Sequence, residues 1–87
     1  MSLFSYRVAC ELHRARRDFP KMASLHEGYA ILLEEVEELW EEIKKNPRKR
    51  DLSKVLEEAI QVGAMVQRLA EDGLAPMLTG DEGRPHE

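Results

Sequence analysis

Six glutamates crowd one short stretch of this 87-residue sequence: Glu34, Glu35, Glu37, Glu38, Glu41 and Glu42. Two further oxygen-bearing side chains, Glu58 and Gln61, stand three residues apart downstream, hence as neighbours on a helix face. Carboxylate oxygens gathered in one place suit Mg²⁺ or Mn²⁺, which take oxygen ligands and keep positions for water and substrate phosphates. At about 100° per residue, Glu35, Glu38 and Glu42 form one row with Ile31, and Glu34, Glu37 and Glu41 form a second. Like charges three or four apart cost a helix roughly 0.2–0.5 kcal/mol per pair. Lys44 and Lys45 suit the dipole at the end of this helix but cannot neutralise six glutamates; a cation would. The plainer alternative is a solvated acidic face, since E-x-x-E spacing is common in any glutamate-rich helix.

The element that carries these glutamates runs from Ser24 to Asn46, and the rest of the chain is expected to be organised around it. Ser24-Leu25-His26-Glu27 has the spacing of a capping box. Leu25, Tyr29, Leu32, Val36, Leu39 and Ile43, widened by Leu33 and Trp40, recur at helical steps, so this face is expected to be buried, Tyr29 and Trp40 with it. Asn46-Pro47 ends the helix. A first helix is expected before it, with Phe4, Val8, Leu12, Ala15 and Phe19 inward and a cap at Ser2 or Ser5. Arg14 and Arg17 on its outer face are either dipole partners or a basic rim for a phosphate chain.

After the basic loop Pro47–Arg50, Asp51 caps a third helix whose main stripe is Leu52, Val55, Leu56, Ala59, Gly63, Val66 and Ala70. Ile60, Val62, Ala64 and Met65 make much of its circumference apolar as well, which implies burial on more than one side. In so short a chain the second side is expected to meet another subunit, with Gly63 and Ala64 allowing close approach. Gly73 is expected to end this helix, Leu74–Leu78 to form a short appendage, and 79–87 a flexible tail. The expected fold is therefore all-α: a small antiparallel bundle of three main helices in one domain, 1–78, completed by oligomerisation. Antiparallel packing of the second and third helices would bring Glu35, Glu38, Glu58 and Gln61 towards one cleft.

Composition excludes several functions. With 17 acidic against 13 basic residues the net charge is −4, so no general nucleic-acid affinity follows. The single Cys10 rules out an internal disulfide, no apolar run approaches a membrane span, and the N-terminus has no signal-peptide core. A soluble, cytoplasmic protein is expected. There is no Gly-rich phosphate loop and no E-x-x-H motif. His26 in the first turn of the second helix and Lys54 in that of the third are candidate nucleotide and phosphate contacts, with solvated side chains as the plainer alternative.

The run HEGYAILLEEVEELWEEIKK, followed by LEEAIQVGAMVQRLAEDG, resembles the MazG-like branch of the all-α nucleoside triphosphate pyrophosphatase superfamily over roughly Val8 to Gly73. That family's mark is E-E-x-x-E on one helix and E-x-x-D on the next. The resemblance maps metal ligands onto Glu35 and Glu38, then Glu58 and Gln61, with Gln61 where the family has Asp. It implies a dimer, or a dimer of dimers, that hydrolyses a nucleoside triphosphate to the monophosphate and pyrophosphate with Mg²⁺. The metal would neutralise charge on the phosphates and acidify the attacking water. Glu34 or Glu38 would take the water's proton. Gln61 removes one negative charge and supplies a weaker ligand, which leaves a second expectation: a catalytically weakened helical oligomer that binds nucleotide or a protein partner.

Overall fold

The computed structural model describes residues 2–79. The tail expected at 79–87 lies, apart from Thr79, outside the described residues. Helix α1 spans Leu3–Asp18 and is capped by Ser2, whose hydroxyl accepts from the Ser5 N–H at 3.0 Å. Helix α2 spans Leu25–Ile43. The Ser24 hydroxyl accepts from the Glu27 N–H at 3.0 Å, but the Glu27 carboxylate accepts from the Ala23 N–H rather than from that of Ser24. Helix α3 spans Leu52–Arg68, and the Asp51 carboxylate accepts from the N–H groups of Ser53 and Lys54. No strand occurs among the described residues, and no helix there is long and apolar enough to cross a membrane.

The third helix does not stop at Gly73. It widens into a π-helical segment, Leu69–Leu74, and runs on into α4, Ala75–Thr79. Pro76 supplies a physical reason: a proline within a regular α-helix lacks its N–H and clashes with the carbonyl four residues back, here that of Asp72. A wider turn just before it relaxes that geometry. Gly73 serves a different purpose. A Cβ there would lie 3.0 Å from Met22 Sδ and 3.2 Å from Leu25 Cδ2, so the missing side chain lets the chain entering α2 pack closely. Gly28 does the same on α2, where a Cβ would meet Met22 Sδ and Leu69 Cδ1.

The centre of the molecule is α3, not the glutamate-rich α2. Helices α1 and α2 each pack on α3 and not on each other. Helix α2 runs antiparallel to α3, with Gly28 near Leu69 and Glu35 near Glu58. Helix α1 runs parallel to α3, tied by an Arg7–Glu57 ion pair near one end and by Arg16 to Glu71 (2.9 Å) and Asp72 (2.7 Å) near the other. The segment between α1 and α2 crosses over the end of α3, where the Pro20 carbonyl accepts from Arg68 Nη2 at 3.3 Å. At the opposite end Arg50 donates to the carbonyls of Ile43 and Lys45, closing the C-terminus of α2.

Val8 and Leu12 of α1 pack with Ile60 and Ala64 of α3 as the core, with Ala15 and Met65 also buried. Gly63 and Ala64, expected at a subunit boundary, are used inside the chain: a Cβ on Gly63 would stand 3.2 Å from Val8 Cγ2. The apolar stripes are turned differently from the expectation. On α2 only Gly28 is buried; Leu25, Leu32 and Leu39 are half-buried. Tyr29 (59% exposed), Leu33, Val36, Trp40 (56%) and Ile43 face outward. On α3 the expected main stripe supplies the exposed Leu52, Leu56 and Val66, and Phe4 and Phe19 of the α1 stripe are also exposed.

Candidate metal centre

Glu35 and Glu38 sit one helical turn apart on α2, and antiparallel packing on α3 sets Glu58 opposite them. One carboxylate oxygen from each of the three lies within 4.8 Å of the other two. Glu38 is exposed, while Glu35 and Glu58 are half-buried. Burial pushes the Glu35 carboxyl up to about 7, with the charges of Glu38 and Glu58 adding to the effect. The Glu58 carboxyl is raised too, by burial first and then by Glu38 and Glu42. None of the three carboxylates has an ion pair, whereas Glu11, Asp18, Glu41, Glu42, Glu57, Glu71 and Asp72 each have a basic partner. Three converging oxygens that no basic side chain neutralises fit a hard divalent ion: its charge would relieve their repulsion, and the exposed side leaves positions for water and phosphate.

Gln61 lies one turn beyond Glu58 on α3 and lines a cavity of about 280 Å³ that also reaches Glu35. Its amide is near enough to α1 to help hold the Glu11 carboxyl below its usual range, an effect led by the hydrogen bond from Arg14. Arg14 lines the same cavity, paired with Glu11 and with Asp18 at 3.4 Å, its guanidinium 5.8 Å from the centroid of the Phe19 ring. Phe19, Pro20, Lys21 and Met22 form one wall, Ile31 and Glu35 another, and Met65 and Arg68 continue the floor from Gln61.

The remaining candidates are outside the cluster of three carboxylates and do not line the cavity beside it. Glu34 is exposed and acts on Glu35 only through its charge. Arg17 pairs with Asp18 at 2.9 Å and borders none of the hollows around α1. His26 and Lys54 are exposed and line none of them either. Sequence reasoning missed Glu11 and Arg68, which line the cavity. Glu11 carried no signal. Arg68 did: Gln61, Met65 and Arg68 follow at steps of four and three, the row that Glu58 and Gln61 begin.

Compared with protein-family models, curated proteins and solved structures, the chain matches none.

Proposed function

We propose that this protein is a Mg²⁺-dependent nucleoside triphosphate pyrophosphohydrolase of the MazG-like kind, releasing pyrophosphate and a nucleoside monophosphate, and that it works as a homodimer or a dimer of dimers. The observation that carries the reading is the meeting of Glu35, Glu38 and Glu58 within 4.8 Å, with Glu35 also lining a cavity that has apolar walls. The first two come from the intact half of the E-E-x-x-E and E-x-x-D pattern and the third from the altered half. A divalent cation bound there would supply charge neutralisation on the phosphates and a more acidic water.

The chain's own residues do the rest. Glu35, Glu38 and Glu58 hold the ion, and Glu38, the most solvent-accessible of the three, accepts the proton of the attacking water. The cavity beside Glu35 takes the nucleoside, whose ring packs against Phe19, Met22 and Met65. Replacing Glu38 or Glu58 by Gln is expected to cut Mg²⁺-dependent pyrophosphate release by about a hundredfold or more while leaving the helical circular-dichroism signal intact. Unchanged turnover in both variants would remove the proposed centre.

A second reading rests on Gln61. It brings no charge to the cluster and lies beside Glu11. A helical oligomer that binds nucleotide with little turnover would follow if that lost charge is decisive. Restoring it through Gln61→Asp separates the two: activity gained only in the variant marks the weakened form.

The dimer is supported by surface chemistry. Tyr29, Leu33, Val36, Trp40 and Ile43 alternate at steps of four and three, the spacing of a helix-pairing seam, and all are exposed. By the 100° step they lie about half a turn from Glu38, and Leu52, Leu56 and Val66 lie about half a turn from Gln61. One apolar face of two helices thus backs the acidic cleft, and a second copy of the chain would cover it.

A further inference from the structure

Arg68 is the most deeply buried charged residue described, at 7% exposure, and no carboxylate pairs with it. Its Nη2 donates to the Pro20 carbonyl at 3.3 Å, a long bond, and its Nε is buried with no partner at all. Anchoring the crossing segment therefore accounts for one donor and leaves another unused. A buried guanidinium with an idle donor is costly unless a ligand completes it. Arg68 also borders a second hollow that holds Glu71 and Asp72, but Arg16 has taken both of those carboxylates.

We propose that Arg68 reads the base of the nucleotide, and that the cavity takes guanine or cytosine in preference to adenine, thymine or uracil. This rests on the nucleotide reading above. In a guanidinium Nε–H and one hydrogen of Nη2 lie side by side as a planar two-donor edge, which serves a base when the Pro20 carbonyl holds the other Nη2 hydrogen. That edge needs two adjacent acceptors in one plane. Guanine offers O6 and N7, and cytosine offers O2 and N3. In adenine each ring acceptor beside the exocyclic group faces a donor, and in thymine or uracil the N3–H separates the two carbonyls.

The surroundings suit a flat ring rather than a bare phosphate. Phe19, Met22, Ile31 and Met65 give the cavity apolar walls for a ring; of its other cations Arg14 is already held by Glu11 and Asp18, and the carboxylates of Glu11, Glu27 and Glu35 on the lining oppose a phosphate beside Lys21. Its volume of about 280 Å³ has room for a base and part of a sugar. Arg68 lies ten residues along α3 from Glu58, about 15 Å at 1.5 Å per residue. Phosphates at the carboxylates and a base edge at Arg68 use that span.

The test is calorimetric binding of dGMP, dCMP, dAMP and dTMP in Mg²⁺ by the wild type, Arg68→Met and Arg68→Lys, beside pyrophosphate release from the four triphosphates. Arg68→Lys keeps the charge and loses the planar fork, so it serves if Arg68→Met fails to fold. The wild type should bind dGMP and dCMP at least about tenfold more tightly than dAMP and dTMP, and the variants should level the four. Equal binding of all four, binding of none, or a preference that survives in the folded variants would overturn the assignment. Hydrolysis of all four triphosphates at one rate, with equal binding, leaves the hydrolase and removes the role of Arg68. Base-selective binding without hydrolysis of any triphosphate does the reverse.

Discussion

Glu35 holds its proton to about pH 7 because partial burial and two neighbouring carboxylates oppose its charge. In the unfolded chain the same group ionises near an ordinary glutamate value, so between about pH 4.5 and 7 the folded state binds more protons than the unfolded one. Stability must then fall as pH rises through that window, and the raised Glu58 carboxyl adds in the same direction. Thermal melts in EDTA should accordingly show a lower Tm at pH 8 than at pH 5.5. Millimolar Mg²⁺ at pH 8 should recover most of the difference by binding the folded state alone. A Tm that is flat across this range and indifferent to Mg²⁺ would show that the three carboxylates do not act as a unit. Removing one charge, as in Glu38→Gln, should raise the Tm in EDTA at pH 8 and abolish its response to Mg²⁺.

Helix by helix, what could be read in advance was local. The caps at Ser24 and Asp51, and one of Ser2 or Ser5 for the first helix, are written in side chains that bond to the nearest backbone groups; the helices start after Ser24, Asp51 and Ser2, and the second stops before Pro47. The meeting of Glu35, Glu38 and Glu58 followed from row spacing and one short connection. Tertiary choice was not legible. Periodicity shows that α2 has an apolar face, but not that its neighbour prefers the row holding Gly28, Glu35 and Leu39 beside it. On α3 two apolar arcs competed, and the one with Ile60 and Ala64 faces α1 because Gly63 lets Val8 come close. Gly73 was misread because a glycine that stops a helix and one that admits a neighbour look alike in sequence.

The core so formed is thin, which sets expectations for its variants. Leu12→Ala or Ile60→Ala should cost about 2–5 kcal/mol in urea unfolding, the range for truncating a buried aliphatic side chain. Arg16→Ala, which removes a solvent-accessible fork to Glu71 and Asp72, should cost about 1 kcal/mol or less.

For the whole molecule, the small core and the exposed apolar face are two sides of one fact. A chain of 87 residues that leaves Trp40 and Tyr29 more than half exposed has apolar surface still to bury. Sedimentation should give about twice the chain mass of 10.0 kDa or a further multiple, and Val36→Glu with Trp40→Glu should return it to one copy. Trp40 fluorescence should shift to longer wavelength in step with dissociation of the wild type on dilution. A wild type that sediments as a single chain at tens of micromolar would refute the paired face. The acidic cleft lies on the side away from that face, so a second copy paired there would leave it open.

The most direct test of the central claim is pyrophosphate release from the eight common ribo- and deoxyribonucleoside triphosphates, in Mg²⁺, in Mn²⁺ and in EDTA, by the wild type and Glu38→Gln. The wild type should turn over at least one triphosphate, with pyrophosphate and monophosphate in equal amounts, and this should be lost in EDTA and in Glu38→Gln. Release that persists in EDTA, or that is equal in the two proteins, or no release from any of the eight, would contradict it.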